Sequence, residues 1–117
     1  MGYSTAGKNK MLDELAAVAV YVSLHDGDPG DNGANEISGG SPAYARKSVT
    51  WNSASGGAIT ASNQPEFDVP AGTTVRYVGF WSAATGGTFY GYADVTDETF
   101  TNQGTYKLTS IQLDLNA

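Results

Sequence analysis

The residue types that could do chemistry crowd into one stretch, residues 24–51, LHDGDPGDNGANEISGGSPAYARKSVTW. It holds the only histidine, His25, and four of the twelve acids: Asp26, Asp28, Asp31 and Glu36. Clustered carboxylates are the oxygen ligands a hard cation takes. A histidine beside an acid is the base-and-orienter pair of nucleophilic hydrolysis. About twenty Gly-, Asp-, Asn-, Ser- and Pro-rich residues separate two apolar runs here, and a loop that long is usually functional or disordered.

Neither chemistry closes on inspection. Asp26, Asp28 and Asp31 make a weak calcium candidate. On the EF-hand template the third ligand position falls on Gly30, the required glycine on Asp31 and the terminal glutamate on Ile37. Asx turns and left-handed backbone account for the same residues, so no metal is expected. No serine has nucleophile-elbow spacing, and a lone histidine cannot build a two- or three-histidine metal site. His25 is therefore expected as a structural or interface residue at a strand end. Glu66, Asp68, Asp94, Asp97 and Glu98 are the acids from which a glycosidase pair would have to come. Glu66 and Asp68 alternate with Phe67 and Val69 like the wet face of a strand, and Asp97 and Glu98 read as a turn before Phe100. No catalytic residue and no cofactor are expected, and an enzyme is the weakest reading.

Aromatics are the stronger candidates for contact. Trp81 and Phe80 lie mid-strand and read as core, since large aromatics dominate small cores. Tyr90 and Tyr92 share the face opposite Phe89 and are left to meet a sugar, as in a carbohydrate-binding module, or a protein.

The elements that must position these residues read as all-β. With 117 residues the chain fits one domain and can bury a core without staples, and it has no cysteine. Only 15% of residues are charged, against about 25% in average domains. Acids outnumber Lys and Arg twelve to six, so the basic stripe that nucleic acid requires is missing. No apolar run has membrane-span length and the N-terminus is polar, so neither membrane insertion nor a signal peptide is expected.

Two parts are expected: an N-terminal arm and short helix over residues 1–17, and a β-sandwich over 18–117. Residues 1–9 read as an extended polar arm. The helix starts at Asn9 as N-cap, with Met11, Leu12, Leu15 and Ala16 on one side. Residues 18–24 alternate as a strand, and further strands fall at 46–51, 58–62 and around Phe67 and Val69. Residues 73–82 are apolar on both faces from Tyr77 onward, as a central strand would be, and form a hairpin with 89–96. The last strand, 106–115, changes phase, which predicts a bulge or a twisted crossing between sheets near residues 109–110. The expected fold is a β-sandwich or jelly-roll-like barrel of about seven to eight short strands with a short N-terminal helix.

An ordered series of short motifs carries a resemblance. It comprises VSLH at 22–25, DPG at 28–30, GANE at 33–36, SGG at 38–40, YAR at 44–46 and VTW at 49–51. FDVPAG at 67–72, VGFW at 78–81, GGTF at 86–89 and the closing strand continue it. Over residues 18–115 the chain resembles a family of small virion proteins of tailed bacteriophages, described either as head-decoration or as tail-fibre-like proteins. The arm and helix are less familiar in that pattern. The resemblance implies a non-enzymatic virion structural protein. Head decoration is favoured, because the chain is a lone compact domain without fibrous repeats or a coiled-coil shaft. Tail-fibre or tail-tip association and a carbohydrate-binding module are the alternatives.

By that analogy the partner is the major capsid protein, the chain forms a homo-oligomer, as a trimer, and its place is the capsid surface after synthesis in the host cytoplasm. The expected contact residues are Tyr3, Lys8, Lys10, His25, Arg46, Lys47, Tyr90 and Tyr92. Arg46 or Lys47 is also expected to pair with the loop acids, and the arm at 2–10 to be removable without harm to the β fold.

Overall fold

In the computed structural model, which describes residues 2–109 and 111–115, the helix begins earlier than the sequence pattern suggests. Helix α1 runs Thr5–Val18. Ser4 is its N-cap: extended backbone at φ −69° and ψ 163°, with Oγ accepting from Gly7 N at 3.0 Å. Ala6, Lys8 and Lys10 are good helix formers and carry the turn past Gly7. Residues 5–9 of the expected arm are therefore helical, and residues 2–4 precede the helix.

Only Leu12 of α1 is buried, so apolar burial gives the helix a thin grip and polar ties supplement it. Asn9 Oδ1 accepts from Gly57 N and Asp13 Oδ1 from Ala54 N, each at 2.9 Å. Asn9, expected as the N-cap, instead caps a turn elsewhere in the fold. Trp51 Nε1 donates to Ala19 O, the residue that ends the helix, at 2.9 Å.

Eight strands follow among the described residues: β1 Tyr21–His25, β2 Lys47–Ser48, β3 Ala58–Thr60, β4 Glu66–Val69, β5 Thr73–Trp81, β6 Phe89–Phe100, β7 Gly104–Lys107 and β8 Gln112–Asp114. One sheet has the order β2-β1-β5-β6, and two antiparallel pairs, β3 with β8 and β4 with β7, complete the molecule. The fold is an all-β, sandwich-like arrangement whose sheets do not close, which removes the barrel alternative. Its envelope is 45 × 24 × 22 Å.

The predicted central strand is central for the predicted reason. β5 lies between β1 and β6, and Val78, Gly79, Phe80 and Trp81 are all buried. Val22, Leu24, Val75, Val78 and Phe80 meet Phe67, Val69, Leu108 and Ile111 in the core, with Ile37 from the long loop and Val49 just after β2. Each such side chain contributes about 1.5–3 kcal/mol of burial.

The strand expected at 46–51 shrinks to Lys47–Ser48, and three further boundaries depart from the sequence reading. Val18 belongs to α1 and is 42% exposed, so β1 starts at Tyr21. β6 continues through Asp97 and Glu98 to Phe100, so these acids lie in a strand and not in a turn. Val75 pairs with Glu98 and Tyr77 with Asp94, which leaves residues 95–97 opposite Arg76 alone. That bulge breaks the alternation the pattern relied on. The segment 106–115 is two strands: β7 pairs with β4 and β8 with β3. The change of phase is thus a change of partner strand, which is the crossing between sheets expected as the alternative to a bulge near residues 109–110; Ser110 itself lies outside the described residues.

Candidate functional site

The long loop folds back on β1 before it goes anywhere else. Ile37 N donates to Leu24 O at 3.0 Å and Asp26 N to Asn35 O at 3.1 Å, which seats Glu36 beside the end of β1. Arg46, next to β2, then closes the loop. Its Nε and Nη2 each donate to one Glu36 oxygen at 2.9 Å. Its Nη1 donates to Ala83 O at 3.0 Å and Gly86 O at 2.9 Å in the β5–β6 connection. The guanidinium also lies 3.7 Å from the centre of the Trp81 ring. Tyr44 O–H donates to Glu36 at 2.8 Å and accepts from Leu24 N at 2.9 Å.

Arginine is the residue this geometry needs, because only its planar fork meets a carboxylate with two bonds while stacking on a ring. The pair is largely dry: the Arg46 side chain is 8% exposed and the Glu36 side chain 23%. Burial by itself raises the Glu36 pKa, but the hydrogen bonds from Arg46 and Tyr44 outweigh it and hold the carboxyl below its usual range. Burial pushes the Tyr44 hydroxyl far up, keeping it a neutral donor.

A second chain of bonds runs under the same tryptophan. Trp81 Nε1 donates to Ser23 Oγ at 2.8 Å, and Ser23 Oγ lies 2.6 Å from His25 Nε2. His25 Nδ1 lies 2.8 Å from Ala34 O. A carbonyl only accepts, so Nδ1 carries a proton; Ser23 Oγ already accepts from Trp81, which leaves its O–H to donate to Nε2 of a neutral ring. Burial lowers the His25 pKa, against the Ala34 bond and the Glu36 charge that raise it. Ser23 and His25 are both 0% exposed. The structure thus brings a serine within hydrogen-bond reach of the histidine, but as an internal chain ending on a carbonyl. Gly33 completes the fit, since at φ +77° a Cβ there would stand 2.4 Å from Trp81 Cζ2.

The expected contact residues scatter. His25 is internal and Arg46 nearly so, because their polar atoms are consumed by the loop; neither presents a surface for a partner. Arg46 does take a loop acid, Glu36, whereas Lys47 stands half-buried in β2. Tyr3 is 58% exposed just before α1, Lys8 is half-buried within it, and Lys10 makes an exposed pair with Glu14 at 3.9 Å. Tyr90 and Tyr92 are 40% and 44% exposed on β6, with Tyr92 edge-on to Tyr77 at 5.7 Å. Asp28 Oδ1 accepts from Gly30 N at 2.8 Å, an Asx turn. Among the described residues no group of three or more His, Asp or Glu is placed to hold a metal ion.

The organising roles of Tyr44, Ser23 and Trp81 escaped the sequence reading, and Glu36 entered it only as one of four loop acids that Arg46 or Lys47 was expected to meet. One signal was present: Ser23 and His25 are two apart on a strand and so share a face. The other three meet only through contacts 8 to 58 residues apart in the chain. Chemically the assembly is saturated, and what it does is fix a loop of some twenty residues as a rigid surface around one tryptophan.

The profile of the family described as Podophage GP4 fiber I protein gp80 matches residues 2–116. The chain belongs to this family. The gp80 match takes in α1 as well as the sandwich, so the N-terminal segment belongs to the family pattern. No curated protein matches the chain. Membership confirms the resemblance to small phage virion proteins and makes the chain a phage virion structural protein with tail-fibre-like character.

Proposed function

We propose that this chain is a non-enzymatic component of the phage tail-fibre apparatus, and that this reading displaces head decoration. The observation that carries it is the match to a family described by its fibre protein, which extends over nearly the whole chain. The lack of a shaft or repeats, which favoured decoration on sequence grounds, weighs less than that match. A sandwich with a pinned loop suits a module set into a larger assembly: its surface is fixed in advance, so little ordering entropy is lost on docking. The sealed Ser23–His25 chain agrees with a structural role.

Tyr90, Tyr92, Tyr3, Lys10 and Lys47 stand as proposed contact residues. The tyrosines lead, because an exposed aromatic gives large contact area for few rotatable bonds. Immunogold labelling of intact virions, with copy number from quantitative mass spectrometry, tests the reading. Label confined to the tail at low copy supports it. Dense label over the head returns the protein to capsid decoration.

A further inference from the structure

We propose that the furrow between β6 and the β7–β8 segment receives an extended segment of another polypeptide, seated as an added β-strand. The walls of this furrow are strand edges. β6 is the outermost strand of its sheet and pairs only with β5. β7 gives its pairing to β4 and β8 to β3. Among the described residues no backbone hydrogen bond crosses from β6 to β7 or β8.

The two walls nevertheless face each other in hairpin order. Residues 94–98 lie opposite 106–109 across a hollow of about 460 Å³, and residues 90–92 lie opposite 113–115 across another of about 200 Å³. Ala93, Val95, Phe100, Tyr106 and Leu113 pack on the core yet stay half-buried along these walls. A strand in the furrow would pair with free edge groups and cover those side chains, which is the β-augmentation mode of peptide recognition.

The ends of the furrow state the chemistry of the occupant. Leu12, Leu15, Leu113 and Leu115 make the end near α1 mainly apolar, with Asp114 at its rim and Leu115 42% exposed. Asp94, Asp97 and Glu98 line the other end with Lys107. Arg76 holds Asp97 at 2.8 Å, while Asp94 and Glu98 have no ion pair among the described residues. The occupant is therefore apolar at one end and carries lysine or arginine at the other. A second copy offering its own β6 fits poorly: that strand has Asp94, Asp97 and Glu98 and no base.

Full-length protein titrated with a labelled, end-capped octapeptide KTKTVTVT, and with its glutamate counterpart ETETVTVT, tests the proposal. Amide hydrogen exchange locates the binding. The lysine peptide should bind, protect β6 and residues 104–109 and 111–115, and exceed its counterpart at least about tenfold. The exposed double substitution Asp94→Lys, Glu98→Lys should reverse that preference, with circular dichroism verifying its fold. Several results overturn the proposal: no binding at millimolar lysine peptide, protection elsewhere, or indifference to the charge reversal. Self-association that protects β6 without any peptide overturns it too, by making a second copy the occupant. Each outcome leaves the fibre assignment standing, since that is decided by where label falls on the virion.

Discussion

Arg46→Met is the substitution that weighs the pinned loop most directly. It removes two bonds to Glu36, two to the carbonyls of Ala83 and Gly86, and the stack on Trp81. Methionine fills much of the space, so the loss is chiefly electrostatic. Glu36 stays behind, its side chain 23% exposed, with one remaining donor in Tyr44. Breaking one side of a largely buried pair costs about 3–5 kcal/mol. Total stabilities of small domains are about 5–15 kcal/mol, so the variant should fold with a much reduced margin. For a domain near this size the melting temperature should fall by roughly 10–20 °C.

Urea unfolding followed by tryptophan fluorescence gives the number. Arg76→Ala supplies the scale, because its pair with Asp97 is 47% and 55% exposed and should be worth below about 1 kcal/mol. Adding Glu36→Gln to Arg46→Met should recover part of the loss, since the stranded carboxylate is then gone. If Arg46→Met costs no more than Arg76→Ala, the loop is not held as described.

Stability should also depend on pH in two stages. Burial sets the His25 pKa below its usual 6.5, so the unfolded chain takes up that proton first. The stabilisation is complete above about pH 6.5 and declines as pH falls below it, by at most about 1.4 kcal/mol per unit. Glu36 lies below its usual 4.5, so its contribution is complete above that pH and is lost as pH falls through the folded-state value. Unfolding midpoints that stay level from pH 7.5 to 5 would contradict the first stage, and His25→Gln should flatten it. Gly30→Ala, at φ +63° with open space around it, should cost about 1 kcal/mol. Gly33→Ala, which drives a Cβ into Trp81, should cost a further 1–3 kcal/mol or so, read from the same unfolding curves. Ser4→Ala should remove about 1 kcal/mol through the lost cap. Deleting residues 2–10 should lower the melting temperature, because Asn9 ties α1 to Gly57, in contrast to the harmless removal expected of an arm.

Local rules served where the environment along the chain was uniform. β5 was legible because residues 77–81 are apolar in succession, which only a strand covered on both faces tolerates. The turn at residues 84–87 was legible from its paired glycines, which take φ +62° and +78°. The start of α1 was not, because Gly7 and Asn9 weaken the helical pattern, and the ties that compensate come from residues 54 and 57. β6 was cut short because a bulge suspends alternation while the strand continues. The fate of His25 and Arg46 turned on Trp81, and a polar residue's burial is decided by partners that sequence spacing does not reveal.

Four of the side-chain bonds that pin the loop end on main-chain atoms: Ala34 O, Ala83 O, Gly86 O and Leu24 N. Main-chain atoms are the same whatever residue carries them. Ala34 and the exposed Ala84 and Thr85 can therefore be exchanged for other small or polar residues while the path of the chain persists. A handful of buried side chains sets the shape, and the outward-facing ones are left to diversify over it. A chain that keeps those few buried side chains can thus carry differently lettered surfaces on one frame.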